Sequence, residues 1–228
     1  MFAMVGTIKK FIQNIPFLFW LLWNRLSLKQ VENVAKEYVN SLVMPRQKTA
    51  KKHFIGLIGS YGVGKTTVAK KIAEKLPFII IVSDEGRRLL ERKGFPHNII
   101  KKSKLIFLLG LRIIKELMNH DINIILDVDL REPYFREPLR NIIASAGYNF
   151  ILLHVMAPEN LVRERITERR TKETSRYLKD NLERHYEERR KIHLSYPLPD
   201  DIFYTFANNE PIDAQIEEFI DKFKKQDQ

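Results

Sequence analysis

Cysteine is absent from all 228 residues. Disulfide scaffolds, thiol nucleophiles and thiolate zinc sites are therefore excluded, and a reducing, cytoplasmic setting is the expectation. A charge-free run near the N-terminus, residues 11–24, is mostly apolar but only 14 residues long. That falls short of the ~20 a spanning helix needs. No small-x-small cleavage site follows it, so a secretory leader is not indicated either. Acidic residues are scarce in the first quarter: Glu32 and Glu37 stand against nine Lys and Arg within residues 1–52. Most of the formal net charge of +11 is thus carried by an N-terminal extension. No internal repeat is visible. With 44% hydrophobic and 29% charged residues, the chain has the makings of an ordinary core, and wholesale disorder is ruled out.

Within the extension, Trp20 and Trp23 lie beside Lys9, Lys10 and Arg25. This pattern suits either peripheral membrane contact or packing on protein. Val31, Val34, Ala35, Tyr38, Val39 and Leu42 recur at helical spacing and predict an amphipathic helix that ends before Pro45. Residues 45–52 read as a basic linker. The expected organisation is a basic helical extension over 1–50 and a catalytic domain over 51–228.

From His53 onward, apolar runs at 53–58, 78–82, 122–126, 150–155 and 202–206 alternate with helical patterns near 65–75, 98–119, 134–146, 159–194 and 211–224. Such a rhythm predicts an α/β fold: a parallel, roughly five-stranded sheet between two layers of helices. The segment 159–194 has no glycine and many charges of both signs. It reads as a long solvated helical region, a lid, broken near 171–175.

The most specific signal is Gly59-Ser60-Tyr61-Gly62-Val63-Gly64-Lys65-Thr66, which fits G-x-x-x-x-G-K-[ST] between a predicted strand and a predicted helix. The glycines let the backbone wrap closely. Its amides, continuing through Thr67, would converge on phosphate oxygens with the helix N-terminus behind them. Lys65 would reach the β- and γ-phosphates of ATP, and the Thr66 hydroxyl would ligate Mg²⁺. No Asn-Lys-x-Asp guanine reader, no Asp-x-x-Gly switch and no LSGGQ signature accompanies the loop. A small phosphotransferase is what remains.

The second strand runs into Ser83-Asp84-Glu85-Gly86-Arg87-Arg88. Ligands of parallel sheets sit outside the carboxyl ends of the strands, so Asp84 is expected at the phosphate-loop edge. There it could take the proton of an attacking hydroxyl, and Arg87 or Arg88 could hold an anionic acceptor group. Asp84 reads equally well as a helix N-cap. The third strand ends at Asp127, the position of a metal-side carboxylate that would join Thr66 around Mg²⁺. Asp129 and Arg131 open the following loop, either as acceptor contacts or as ordinary polar loop residues. In the lid, Arg163, Arg165, Arg169 and Arg170 offer positive charge for the transferring group, with Arg165 and Arg169 sharing a face. The residues 207–209 could approach the adenine base.

Together GSYGVGKTT, SDEGRR, ILDVDL, APENLVRERITERR and YTFANN resemble the corresponding segments of small phosphate-loop kinases of the polynucleotide-kinase-like and nucleotide or small-molecule kinase group. The resemblance covers residues 53–225. It implies that Asp84 activates the acceptor hydroxyl, that Arg87 contacts the acceptor, and that Arg169 or Arg165 is the lid arginine. The implied function is ATP-dependent transfer of a phosphoryl group to a nucleoside, a nucleotide, a nucleic-acid 5′ end or a small metabolite. Nucleic acid enters there as an acceptor only. Two rival functions are an ATPase or nucleotide switch recruited to membrane or a partner through residues 11–24, and a nucleic-acid-binding protein led by the basic extension.

Overall fold

The computed structural model describes residues 28–45, 49–95, 103–174, 176–209 and 211–227. The apolar segment 11–24 lies outside them. Among the described residues no helix is long and apolar enough to cross a membrane.

Five parallel strands form one sheet: β1 His53–Ile58, β2 Phe78–Val82, β3 Asn123–Asp129, β4 Asn149–Met156 and β5 Ile202–Ala207, in the order β2-β3-β1-β4-β5. β1 is central and every one of its residues is buried. That explains its unbroken apolar run, because a strand covered on both faces has no polar side to show. Its side chains alternate between two cores. Phe54 and Ile58 face one layer, and Ile55 and Leu57 the other.

The first layer holds α1 Leu28–Asn40, α3 Ser83–Arg92, α4 Ser103–Asn119 and α5 Pro133–Ser145. The second holds α2 Lys65–Lys75, α6 Glu159–Lys172, α7 Arg176–Ser195 and α8 Asp213–Asp227. Val31, Val34, Ala35 and Val39 of α1 are buried in the same cluster as Leu105 and Leu109 of α4. The helix of the N-terminal extension is thus built into the core of the sheet domain. Part of the basic linker is also fixed. The backbone N–H groups of Ala50 and Lys51 donate to Asp227, whose carboxylate also lies 2.7 Å from the buried His53 imidazole.

Two features depart from the sequence expectation, and a third meets it. β3 continues past Leu126 through Asp129, because its backbone goes on pairing after the apolar side chains end: Asp127 is in register with Val82 and Asp129 with Leu57. Helix α3 was not among the expected helices. Its apolar contacts are confined to Leu89 and Leu90 in the last turn, too few to show a period. The lid is two helices, α6 and α7, divided after Lys172 in the interval where the break was expected.

The strand order reverses at β1, where the chain crosses first toward β2 and β3 and later toward β4 and β5. A sheet of this kind opens a crevice at the carboxyl ends of its strands at that point. β1 delivers the phosphate loop there, β2 delivers Asp84, and β3 delivers Asp127 and Asp129.

Candidate active site

The loop between β1 and α2 is shaped by close approaches that exclude side chains. Gly64 has φ +97°, and a Cβ on it would lie 2.0 Å from Asn208 Nδ2. A Cβ on Gly59 would lie 2.4 Å from the Val155 carbonyl oxygen. Neighbours brace the curl from outside. Asn208 Nδ2 donates to the Val63 carbonyl at 2.8 Å, and Arg165 Nη1 donates to it at 3.3 Å. Arg165 Nη2 also donates to the Asn208 carbonyl. Asn208 is therefore committed to the loop rather than to the base contact suggested for 207–209. Lys65 Nζ donates to the carbonyls of Gly59 at 2.8 Å and Ser60 at 3.0 Å, which holds its ammonium at the mouth of the loop.

Three carboxylates stand opposite. Thr66 Oγ1 donates to Asp127 Oδ2 at 2.5 Å. Burial pushes the Asp127 carboxyl above the usual range, and Lys65 and the Thr66 hydroxyl only partly oppose this. Asp84, in the first turn of α3, accepts from Arg169 Nη2 at 2.5 Å. The Arg169 guanidinium also lies 5.1 Å from the Tyr61 ring centroid. Burial works against its charge, but Asp84, Tyr61 and Glu173 outweigh burial and raise its pKa. Asp129 accepts from the Gly59 N–H at 3.2 Å, the Arg131 N–H at 3.3 Å and His193 Nε2 at 2.8 Å. Burial would raise its pKa, yet the His193 bond together with Lys65, His193 and Arg189 carries it below the ordinary value.

A cavity of about 270 Å³ joins these groups. The loop and α2 line it with Tyr61, Gly62, Gly64, Lys65, Thr66 and Thr67. From β2 and α3 come Asp84 and Arg87, from β3 Asp127 and Asp129, and from α6 Arg165 and Arg169. Gly59, Ser60 and Val63 do not line it; their contribution is the backbone bonds above.

Two residues expected at an acceptor are turned elsewhere. Arg88 donates to Glu85 at 2.6 Å and to Glu173 at 2.9 Å, pinning α3 to the end of α6. Arg131 donates to the Tyr196 carbonyl at 2.7 Å and the His193 carbonyl at 3.5 Å, closing off the C-terminal end of α7. Asp129 belongs to the strand rather than to a loop, and its carboxylate ties the phosphate loop to α7.

Two ionisable cavity residues escaped the sequence reading, His185 and Arg189 of α7. A signal for them existed. Leu182 and Tyr186 are buried on the inner face of α7, and 182, 185, 186 and 189 follow the three-and-four spacing of a single face. The surrounding arginines and glutamates obscure it.

Comparison with known proteins agrees with the fold described above. A family model described as an AAA domain matches residues 54–190. No curated protein matches the chain. Among solved structures, APS kinase CysC of Mycobacterium tuberculosis is similar with a TM-score of 0.53 at 18% identity, over 76% of this chain and 98% of that one. A candidate kinase from Chloroflexus aurantiacus has a TM-score of 0.58 at 15% identity, over 77% and 98%. A gluconokinase from Sinorhizobium meliloti has a TM-score of 0.50 at 17% identity, over 78% and 95%. At these identities the likeness is one of fold, and the fold is that of small phosphate-loop kinases.

Proposed function

This chain belongs to the AAA domain family, and from that membership and the geometry of the cavity we propose that it is an ATP-dependent kinase. It moves the γ-phosphoryl group of ATP to a hydroxyl or phosphate acceptor. The observation that carries the reading is the joining of Asp84 and Arg169 in the same cavity as Lys65 and Thr66.

Phosphoryl transfer asks a protein mainly for positioning and for positive charge around the moving group. The loop amides and Lys65 supply this on the nucleotide side. Thr66 and Asp127 offer two hard oxygens in mutual contact, a donor set that fits Mg²⁺, which takes few protein ligands and keeps water and phosphate oxygens for the rest. Bound there, Mg²⁺ would neutralise charge on the phosphates. Asp84 accepts the proton of an acceptor hydroxyl as the new O–P bond forms and the bond to ADP breaks. Arg169 exchanges its bond to Asp84 for the equatorial oxygens, so the base is released as the lid arginine engages. Arg165 steadies the loop through Val63 and Asn208. Closure of α6 and α7 excludes water, which would otherwise compete with the acceptor.

Label transfer from γ-labelled ATP to pooled acceptors tests the reading, with Lys65→Ala as the blank. Asp84→Asn should retain ATP binding and lose transfer to a hydroxyl by ~10²-fold or more. Equal labelling of acceptor by wild type and Lys65→Ala would refute the kinase assignment. Wild-type transfer by Asp84→Asn would remove Asp84 as the base.

A further inference from the structure

Among the described residues, one buried side-chain polar atom has no hydrogen-bond partner, the Tyr61 hydroxyl. A buried hydroxyl ordinarily finds a partner, because leaving it unpaired costs stability. Burial first, and then the Asp84 carboxylate, push its pKa up, so it stays a neutral phenol across the physiological range. The hydroxyl thus gives the fold nothing for its burial, whereas the ring is well placed. Tyr61 and Gly62 are where the phosphate loop meets the lid. A Cβ on Gly62 would lie 3.0 Å from Val162 Cγ1 and 3.2 Å from Ile166 Cγ1, so α6 lies directly on the loop. The Tyr61 ring centroid is 5.1 Å from the Arg169 guanidinium of α6 and 6.4 Å from the His185 ring of α7. One side chain of the loop therefore faces both lid helices.

Three groups attract the Arg169 guanidinium. Asp84 Oδ2 accepts from Nη2 at 2.5 Å. Glu173 Oε2 lies 3.7 Å from Nε, but that oxygen also accepts from Arg88 Nη2 at 2.9 Å. The third is the Tyr61 ring. In the proposed transfer Asp84 gives up the arginine when it takes a proton. A carboxylate holds a guanidinium by claiming N–H donors, and those are the donors that phosphoryl oxygens need. An aromatic face attracts the cation through its quadrupole and leaves the planar fork of five donors to oxygen atoms. Tyr61 is also a residue of the loop itself, so whatever its ring holds is held beside the phosphates.

We infer that Tyr61 is a positioning residue whose ring seats Arg169 beside the phosphates during transfer, through its aromatic face and not through its hydroxyl. The inference rests on the kinase reading and adds a residue to it. It also joins two events. Arg169 reaches its seat only when α6 lies on the loop, so closure of the lid and delivery of the positive charge occur together. Removing the ring would leave the arginine in place chemically but free to wander, and the cost would fall on the step that needs it oriented.

The test uses the full chain with Tyr61→Leu, Tyr61→Phe and Tyr61 replaced by pentafluorophenylalanine, a ring of similar shape whose face repels a cation. The rate at which saturating γ-labelled MgATP loses its label, to water and to a pool of nucleosides and sugars, is read for each. Tyr61→Leu should lower that rate roughly tenfold or more, with AMPPNP affinity within about threefold. Tyr61→Phe should recover most of the loss and melt no lower than wild type, while the fluorinated ring should recover little. In an Arg169→Ala background the leucine and phenylalanine variants should differ by less than about twofold, since nothing is left to seat. Should leucine disturb the fold, the two rings of similar shape still decide. The seat is overturned if phenylalanine is as impaired as leucine, if the fluorinated ring is as active as phenylalanine, or if their difference survives without Arg169. The kinase reading fails separately. Label passing to water alone sinks the kinase and leaves the rates to judge the seat. If the wild type releases no label at all, the kinase reading fails and urea unfolding judges the seat. Tyr61→Leu and Arg169→Ala should then be coupled by about threefold or more in the unfolding equilibrium constant, and additive effects would overturn the seat.

Discussion

Arg169 reaches across from the first lid helix and places Nη2 2.5 Å from Oδ2 of Asp84, while its guanidinium plane lies over the ring of Tyr61. The candidate base and the candidate charge-stabilising arginine are thereby partners before transfer begins. Arg165, one turn earlier on α6, is instead bonded to backbone carbonyls of the loop and of Asn208. The two arginines share a face but face different tasks.

Their separation predicts different kinetic defects. Arg169→Ala should lower kcat roughly 10³-fold with little change in ATP affinity, the loss expected when an arginine meets charge only in the transition state. Arg165→Ala should chiefly raise the KM for ATP, because the curl at Val63 loses a brace. Steady-state kinetics with varied ATP would check this. A large kcat effect at Arg165 with none at Arg169 would exchange their roles.

Asp127 gives a prediction of opposite sign for stability and activity. Its folded pKa is raised, so near neutral pH the ionised form is penalised in the metal-free fold, and stability falls as pH rises past the unfolded carboxyl value near ~4. Asp127→Asn removes the penalty and keeps an acceptor oxygen for Thr66. In EDTA at pH 7 the variant should melt a few degrees above wild type, at roughly 2–4 °C per kcal/mol for a chain of this size. With Mg²⁺ and ATP the order should reverse, and turnover should be nearly abolished. Differential scanning calorimetry with and without Mg²⁺ reads both effects. A lower melting temperature in EDTA would show that Asp127 stabilises the fold as a charge.

Acid should erode stability in two steps. His154 and His185 are held below the ordinary histidine pKa, first by burial and then by neighbouring arginines, Arg131 for His154 and Arg87 for His185. A depressed folded pKa means their contribution is intact above the unfolded value of ~6.5 and is lost as pH falls from there toward the folded value. Asp129 is also depressed, but against an unfolded value of ~3.9, so its contribution persists to lower pH and fades below about 4. His154→Gln should flatten the urea-unfolding profile between about pH 7 and 5 and leave the steeper acid limb. Asp129→Asn should do the converse. Identical profiles for wild type and His154→Gln would contradict the first step.

What the sequence made legible follows from what repeats or is locally coded. The phosphate loop and the five strands could be read because glycine placement and buried apolar runs are local signals. Asp84 and Asp127 could be read because strand ends locate a ligand edge in any parallel sheet. Arg88 and Arg131 could not be told from Arg87, since their partners Glu173, His193 and Tyr196 are distant in sequence and meet them only after folding. α7 was read as a solvated helix for the same reason. The charges that predominate on it are real, but His185 and Arg189 lie next to its buried seam of Leu182 and Tyr186. The N-terminal helix was visible as a helix, yet its burial against α4 depends on apolar residues some 70 positions away.

The tie between Asp129 and His193 yields the last prediction. One buried carboxylate accepts from Gly59, the first residue of the phosphate loop, and from His193 near the end of α7. Arg131 holds the same end of that helix through its carbonyls. The far end of α7 is anchored to the loop's base, and this anchor fixes where His185 and Arg189 stand. His193→Ala removes a partner from a buried carboxylate, at a cost on the order of 1–3 kcal/mol. Melting should drop by several degrees, and amide hydrogen exchange should speed up along α7 more than along α2. Because His193 positions other residues and touches no reacting atom, the acceptor KM should rise while ATP affinity stays within a few-fold. His193→Gln, whose side-chain amide can still donate to Asp129, should recover much of both losses. If the glutamine variant behaved like alanine, or if exchange in α7 were unchanged, the carboxylate would be bonding a helix already fixed by its apolar face alone.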